Sequence, residues 1–313
     1  MDPVILYLEE AERVAADLAQ RFPGERFLPV SSHAGLAAAL GENPGVAFSV
    51  KSPATPGPGH ARIAAHPGLA FFQVGGSGFE HLGDWDRDRL RVANCAGVLA
   101  PFLAETCLGA ILALNHGLIR YRDQQRARLW REHWFRPLMG QTLLIVGAGA
   151  IGGELSVRAA AMGVRVIALR RSGAPVPGAA ETRPPEALAE SLAEADIVSL
   201  HLRLTRETEG LFDAALFARM KPGSLFVNTA RGGHVIEADL LDAVRSGHLA
   251  GAYLDVFETE PLPAQSPLWD EPQILITPHA SDGVTDWLDR FVAVFAENLA
   301  AWRAGRALIN PVD

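Results

Sequence analysis

Leu143-Leu144-Ile145-Val146-Gly147-Ala148-Gly149-Ala150-Ile151-Gly152 decides the fold of this 313-residue chain. A short apolar run of strand type meets G-x-G-x-x-G, and Ile151 to Met162 then reads as a helix. The glycines have different tasks in such a strand–turn–helix unit. Gly147 permits the tight turn, Gly149 lets backbone approach a pyrophosphate, and Gly152 lets helix pack on strand. Amides at the start of the helix, around Ala150 and Ile151, would face the anion together with the helix dipole. A second strand, Val164 to Leu169, follows at βαβ distance. The pattern predicts a dinucleotide site; the alternative is a glycine-rich turn with no ligand.

The end of the second strand selects the nucleotide. Asp or Glu there would bond ribose hydroxyls, but the sequence has Leu169-Arg170-Arg171-Ser172. A guanidinium pairs bidentately with a 2′-phosphate, which an acid would repel. NADP(H) is therefore the expected cofactor, with NAD(H) possible. The bland alternative is two solvated arginines, in a chain whose only lysines are Lys51 and Lys221.

Outward from this unit the chain keeps alternating. Ile197 to Leu202, Leu225 to Asn228, Gly251 to Val256 and Ile274 to Thr277 read as buried strands. Leu211 to Ala218 and Ala238 to Gly247 read as helices, and Ala174 to Pro185 as a loop. Upstream, Val4 to Leu8, Phe27 to Val30, Val46 to Val50 and Leu69 to Val74 are strand candidates. Glu10 to Arg21 and Leu36 to Leu40 look helical, and Ser52 to Gly59, rich in proline and glycine, is a loop. Pro101 to Tyr121 predicts one long helix, and Asp286 to Arg303 a last one stopped by Gly305. The length suggests two domains, and the alternation makes both α/β layers.

Composition narrows the partners. Apolar residues are 49% and acids outnumber bases 36 to 28, for a net charge of −8. Nucleic acid and anionic membrane would favour a basic face, so neither is expected. Cys95 and Cys107 form no disulfide framework and lack metal-ligand spacing, so no metal is expected and a reducing cytoplasm fits. The N-terminus has an acidic flank rather than a leader's basic one, and no apolar run reaches membrane-spanning length. A cytoplasmic protein is the expectation. Arg120 to Arg136 is charged yet carries Trp130 and Trp134, either partner anchors or ordinary packing of a surface helix.

Three further segments carry a resemblance. They are Val227-Asn228-Thr229-Ala230-Arg231-Gly232-Gly233, the run Gly251-Ala252-Tyr253-Leu254-Asp255-Val256-Phe257-Glu258-Thr259-Glu260-Pro261-Leu262, and Ile276-Thr277-Pro278-His279. With the glycine loop, and with Asn94 to Glu105 as a crossover, they resemble the D-isomer-specific 2-hydroxyacid dehydrogenases from about Phe71 onward. The nearest branch resembles the glyoxylate/hydroxypyruvate reductases. The resemblance implies two doubly wound parallel-sheet domains: a Rossmann cofactor domain over 95–280 and a smaller flavodoxin-like substrate domain from 1–94 with 281–313. It also implies a homodimer and a small 2-oxo or 2-hydroxy acid substrate. A dinucleotide-sensing binding protein on the same fold, or a phosphoglycerate dehydrogenase-like enzyme, is the rival reading.

Residue chemistry points the same way. Reducing a 2-oxo acid needs a cation for the carboxylate, a proton for the ketone oxygen, and a hydride. Arg231, after a strand at a glycine-flanked turn, has the fork that suits a carboxylate. His279 follows a strand and Pro278, and imidazole delivers or accepts protons near neutral pH. Glu260 is the carboxylate that would orient it. The resemblance gives Arg231, His279 and Glu260 these roles. It also places Ala230, Leu202 and Arg203 near the cofactor and Asp255 at the nicotinamide carboxamide; for Asp255 a turn cap is the alternative. Ser77 and Gly78 match a loop offering amides to the substrate carboxylate, and Lys51 and Ser52 a pocket wall; for Lys51 a solvated loop residue is the alternative. Departures from the family pattern are Arg203 for a usual proline, Glu80 for an aspartate, and Asp282 close after His279.

Overall fold

The computed structural model describes residues 2–312. In chain order, β1 (Val4–Tyr7), α1 (Ala11–Arg21), β2 (Phe27–Val30), α2 (Leu36–Gly41) and β3 (Val46–Ser49) come first. Then follow α3 (Gly57–Ala64), β4 (Phe71–Val74), β5 (Arg91–Asn94), α4 (Ala100–Asn115) and α5 (Leu118–Arg126). The glycine loop joins β6 (Thr142–Val146) to α6 (Ala150–Ala161), followed by β7 (Arg165–Leu169), β8 (Glu181–Arg183), α7 (Leu188–Glu194) and β9 (Ile197–Leu200). The remainder is α8 (Ala214–Phe217), β10 (Ser224–Asn228), α9 (Glu237–Arg245), β11 (Leu249–Leu254), β12 (Ile274–Ile276), α10 (Trp287–Arg303) and β13 (Pro311–Val312).

The chain divides into two compact units, Met1–Val98 with Thr285–Asp313, and Leu99–Val284. Both boundaries lie beyond the 94/95 and 280/281 expected from the resemblance. The turn closed by Val98 N–H on Cys95 O stays with β5. The Ala280–Gly283 turn stays with the second unit, where Thr106 Oγ1 donates to Ser281 O at 2.9 Å.

The first unit holds a sheet ordered β13-β5-β4-β3-β1-β2. β1 to β5 are parallel, but β13 pairs antiparallel with β5 through Pro311 and Ala93, so the sheet is mixed at one edge. β1, β3 and β4 are buried throughout, as fits strands covered on both faces. α10 closes one face: Phe295 stacks on Phe48, Trp302 on Phe71, and Asn298 Nδ2 donates to Gln73 Oε1 at 2.7 Å.

The second unit holds the order β12-β11-β10-β9-β6-β7-β8, all parallel. After β8 the chain returns to the other side of β6, so the strand order reverses between β6 and β9. Ligands of doubly wound sheets bind at such a reversal, outside the carboxyl ends of the strands. The apolar face of α4, with Ala104, Cys107 and Ile111, packs in one core with Leu143, Ile145 and Tyr253.

Several elements differ from the sequence expectation. The long helix breaks at Gly117, which takes a left-handed φ of 65°, and α4 and α5 bend by 62°. The loop over Ser52–Gly59 ends early, because Pro56 is extended and Pro58 sits in the first turn of α3, where its missing N–H costs no helix bond. The helix expected over Leu211–Ala218 shrinks to α8, capped by Asp213 accepting from Leu216 N–H. Glu181–Arg183, expected as loop, adds an edge strand. Trp130 and Trp134 lie beyond the last helical residue of α5 and are 99% and 95% exposed, so neither packs on a surface helix. No single helix among the described residues is long and apolar enough to cross a membrane.

Candidate active site

The glycine loop shows why each glycine is there. Gly147 has φ +96°, and a Cβ on it would meet the His201 carbonyl oxygen at 2.8 Å. A Cβ on Gly152 would meet the Ile145 side chain at 2.7 Å, so this buried glycine is the contact between α6 and β6. Gly149 has nothing within 4 Å of such an atom. The first and third are thus fixed by packing, while the second presents bare backbone to a ligand. A cleft of 780 Å³ opens beside the loop and is lined by Gly147 to Gly149, Arg170 to Ser172, and Leu202 and Arg203. These residues fit a dinucleotide: a glycine-bared loop, the N-terminus of α6, and guanidinium groups at the end of β7.

Ala150 and Ile151 open α6 outside the cleft lining, so they could serve only through the helix terminus. Neither Arg170 nor Arg171 has a carboxylate partner among the described residues. Sequence reasoning missed Pro185, Thr205, Glu207 and Thr208, which also line the cleft from irregular segments without a motif. It also passed over His201, whose Nε2 lies 2.9 Å from Ser199 Oγ and whose buried Nδ1 has no partner among the described residues. Burial lowers the His201 pKa to about 4 and keeps the ring neutral. The only sequence signal was a histidine ending an apolar strand.

His279 and Glu260 come together. His279 Nδ1 lies 2.8 Å from Glu260 Oε2, while Glu260 Oε1 accepts from Phe257 N–H at 3.1 Å. His279 itself has φ +51°, an uncommon conformation for a side chain of this size. Its N–H donates to the Asp255 carbonyl at 2.8 Å. The Asp255 carboxylate accepts from Thr277 Oγ1, from Ala280 N–H at 2.8 Å and from Ser281 N–H at 3.2 Å. With 2% exposure, Asp255 sits in the position of a turn cap, the alternative to a carboxamide contact.

Arg231 follows β10 and is exposed. Asn228 shapes its turn, accepting from Ala230 N–H on Oδ1 and donating from Nδ2 to the Arg231 carbonyl, both at 3.0 Å. Ala230 is buried within this turn, outside the cleft lining. A Cβ on Gly232 would lie 1.8 Å from the Phe257 carbonyl carbon. The Arg231 turn is therefore laid directly on the loop that carries Glu260. Glu237 and Glu258 lock the two further, each accepting the other's backbone N–H. Asp282 is exposed.

In the first unit, Lys51 and Ser52 follow β3, and Ser77 and Gly78 follow β4, at the same end of adjacent parallel strands. Ser52 Oγ pairs with Thr55 Oγ1 at 2.8 Å, and Asn94 Nδ2 donates to Ser77 O at 2.8 Å, so both loops are ordered. Lys51 and Ser77 are exposed.

A family model described as D-isomer specific 2-hydroxyacid dehydrogenase, NAD binding domain, matches residues 108–281. The D-3-phosphoglycerate dehydrogenase of Mycobacterium leprae (strain TN) is 36% identical over 258 residues, 80% of this chain and 48% of that protein. The chain thus spans about half the length of that curated relative. A D-isomer specific 2-hydroxyacid dehydrogenase family protein of Aeromonas salmonicida subsp. salmonicida A449 has a similar structure, with TM-score 0.88 and 34% identity over 100% of this chain and 99% of that one. So has the NADPH-dependent glyoxylate/hydroxypyruvate reductase of Sinorhizobium meliloti, solved with NADP and sulfate, with TM-score 0.84 and 28% identity over 100% and 98%. The chain belongs to the D-isomer-specific 2-hydroxyacid dehydrogenase family, and its middle part is a nicotinamide-dinucleotide-binding domain.

Proposed function

We propose that this chain is an NADPH-dependent reductase of small 2-oxo acids, forming D-2-hydroxy acids, with glyoxylate and hydroxypyruvate as the substrate class. The observation that carries the reading is the His279–Glu260 pair at 2.8 Å, beside an Arg231 turn seated on the same loop. The reduced nicotinamide supplies a hydride equivalent when bound. Arg231 holds the substrate carboxylate through its guanidinium fork. Glu260 accepts the Nδ1 proton of His279, which leaves Nε2 as the nitrogen that protonates the carbonyl oxygen. In the reverse direction the same nitrogen takes the hydroxyl proton.

Two guanidinium groups without carboxylate partners among the described residues, Arg170 and Arg171 at the end of β7, support a preference for the 2′-phosphate form of the cofactor. Arg203, from the opposite lining of the cleft, adds positive charge. The substrate loops at Lys51, Ser52, Ser77 and Gly78 form the substrate-binding part of the chain, and two copies associate as a homodimer through the exposed aromatic segment around Trp130 and Trp134.

Initial rates of NADPH and NADH oxidation with glyoxylate, hydroxypyruvate, pyruvate and 3-phosphohydroxypyruvate test this reading. Fast NADPH-dependent reduction of the first two is expected. Faster turnover of the phosphorylated acid would replace it by the phosphoglycerate dehydrogenase-like reading. Cofactor binding without turnover of any acid would replace it by a dinucleotide sensor.

A further inference from the structure

Tyr253 lies on β11 with no exposed surface, yet its hydroxyl reaches two residues that flank His279. It is 2.8 Å from Thr277 Oγ1 and 2.9 Å from Ser281 Oγ. The proton directions follow from counting. Thr277 Oγ1 donates its single proton to the Asp255 carboxylate, so its oxygen accepts from Tyr253. Tyr253 has then spent its own proton, so it accepts from Ser281. The bonds run one way, from Ser281 through Tyr253 and Thr277 to a carboxylate, and each polarises the next. The same carboxylate holds the amides of Ala280 and Ser281, and Thr106 Oγ1 of α4 holds the Ser281 carbonyl. The segment 277–281 is thus pinned on both sides of His279, whose left-handed backbone persists only where its surroundings enforce it.

We propose that Tyr253 is a positioning residue for His279: its hydroxyl clamps Thr277 to Ser281 and so fixes the direction in which the imidazole presents Nε2. The role rests on the proposed reduction, in which His279 transfers the proton. Tyr253→Phe keeps the ring in the core and removes only the clamp. Two readouts test it: the NMR order parameter of the His279 Cε1–Hε1 bond in 13C-histidine protein, its signal assigned with His279→Gln, and steady-state kinetics with NADPH and glyoxylate.

The expected result is a lower order parameter together with a roughly tenfold fall in kcat, while KM for NADPH stays within about twofold. An unchanged order parameter and unchanged kcat, even with a lower denaturation midpoint, would make Tyr253 a core residue only and overturn the proposal. Should Tyr253→Phe fail to fold, Ser281→Ala breaks the other end of the clamp and is read in the same two ways. If the wild-type chain reduces no 2-oxo acid, the reductase reading falls by itself, and the order parameter alone decides whether Tyr253 holds the ring.

Discussion

At the scale of single residues, the proposed reaction rests on three side chains and the proposed cofactor choice on two. His279→Ala removes the proposed proton donor, and kcat should fall roughly 10²- to 10⁴-fold with the fold intact by circular dichroism, the usual range for losing a general acid. Full activity in that variant would end the mechanism. Arg231→Lys keeps the charge but not the fork, so KM for the 2-oxo acid should rise while the cofactor KM is unaffected. Arg170→Ala and Arg171→Ala should each raise KM for NADPH roughly ten- to a hundredfold and leave KM for NADH alone, as expected for lost hydrogen bonds to a charged group. Equal effects on both cofactors would mean that neither arginine meets the 2′-phosphate.

At the scale of elements, Gly232 joins two loops that meet nowhere in the sequence. A Cβ there collides with backbone rather than with a yielding side chain, so Gly232→Ala should cost about 3 kcal/mol in urea denaturation and separate Arg231 from its support. The turn between β3 and α3 carries a different sensitivity. His60 is fully buried, linked to Ser49 Oγ at 2.8 Å and the Thr55 carbonyl at 3.0 Å, and burial lowers its pKa to about 4. The unfolded chain, with an ordinary histidine near 6.5, takes up the proton first. The stability that His60 contributes is therefore complete above about pH 6.5 and declines as pH falls towards 4, by roughly 3 kcal/mol. Denaturation midpoints of wild type and His60→Gln across that range should diverge; parallel curves would mean that His60 does not titrate with folding.

These elements also show what a sequence can display. The glycine loop was legible because each glycine answers a local steric demand, and the strands were legible because burial on both faces leaves continuous apolar runs. His279 and Glu260 were legible through motifs, but the Tyr253–Thr277–Asp255 chain was not, since a buried tyrosine on a strand and a threonine just past one look like ordinary sheet residues. The break at Gly117 was hidden because a glycine within an Ala/Leu-rich stretch is compatible with a continuous helix, as at Gly109 inside α4, until its φ is known. The lining of the cleft by Thr205, Glu207 and Thr208 depends on how an irregular segment folds back, with Thr208 Oγ1 donating to the Arg203 carbonyl at 2.9 Å.

At the scale of the molecule, two nearly bare tryptophans in a segment without regular structure are the main exposed apolar feature. Trp130→Ala with Trp134→Ala should shift the proposed dimer to monomer in sedimentation equilibrium; a double variant with the wild-type association state would remove this segment from the interface. The split of the first unit has a consequence for how the protein is made. Its sheet contains strands translated before the second unit, but Phe295, Asn298 and β13, which cover and extend that sheet, are translated after it. The second unit is complete at Val284, before those residues exist. At about 5–20 residues per second, the earliest strands wait roughly fifteen to sixty seconds for their last partners. On the ribosome, strands made before the second unit are covered only after it, and those uncovered strands are what a chaperone would meet.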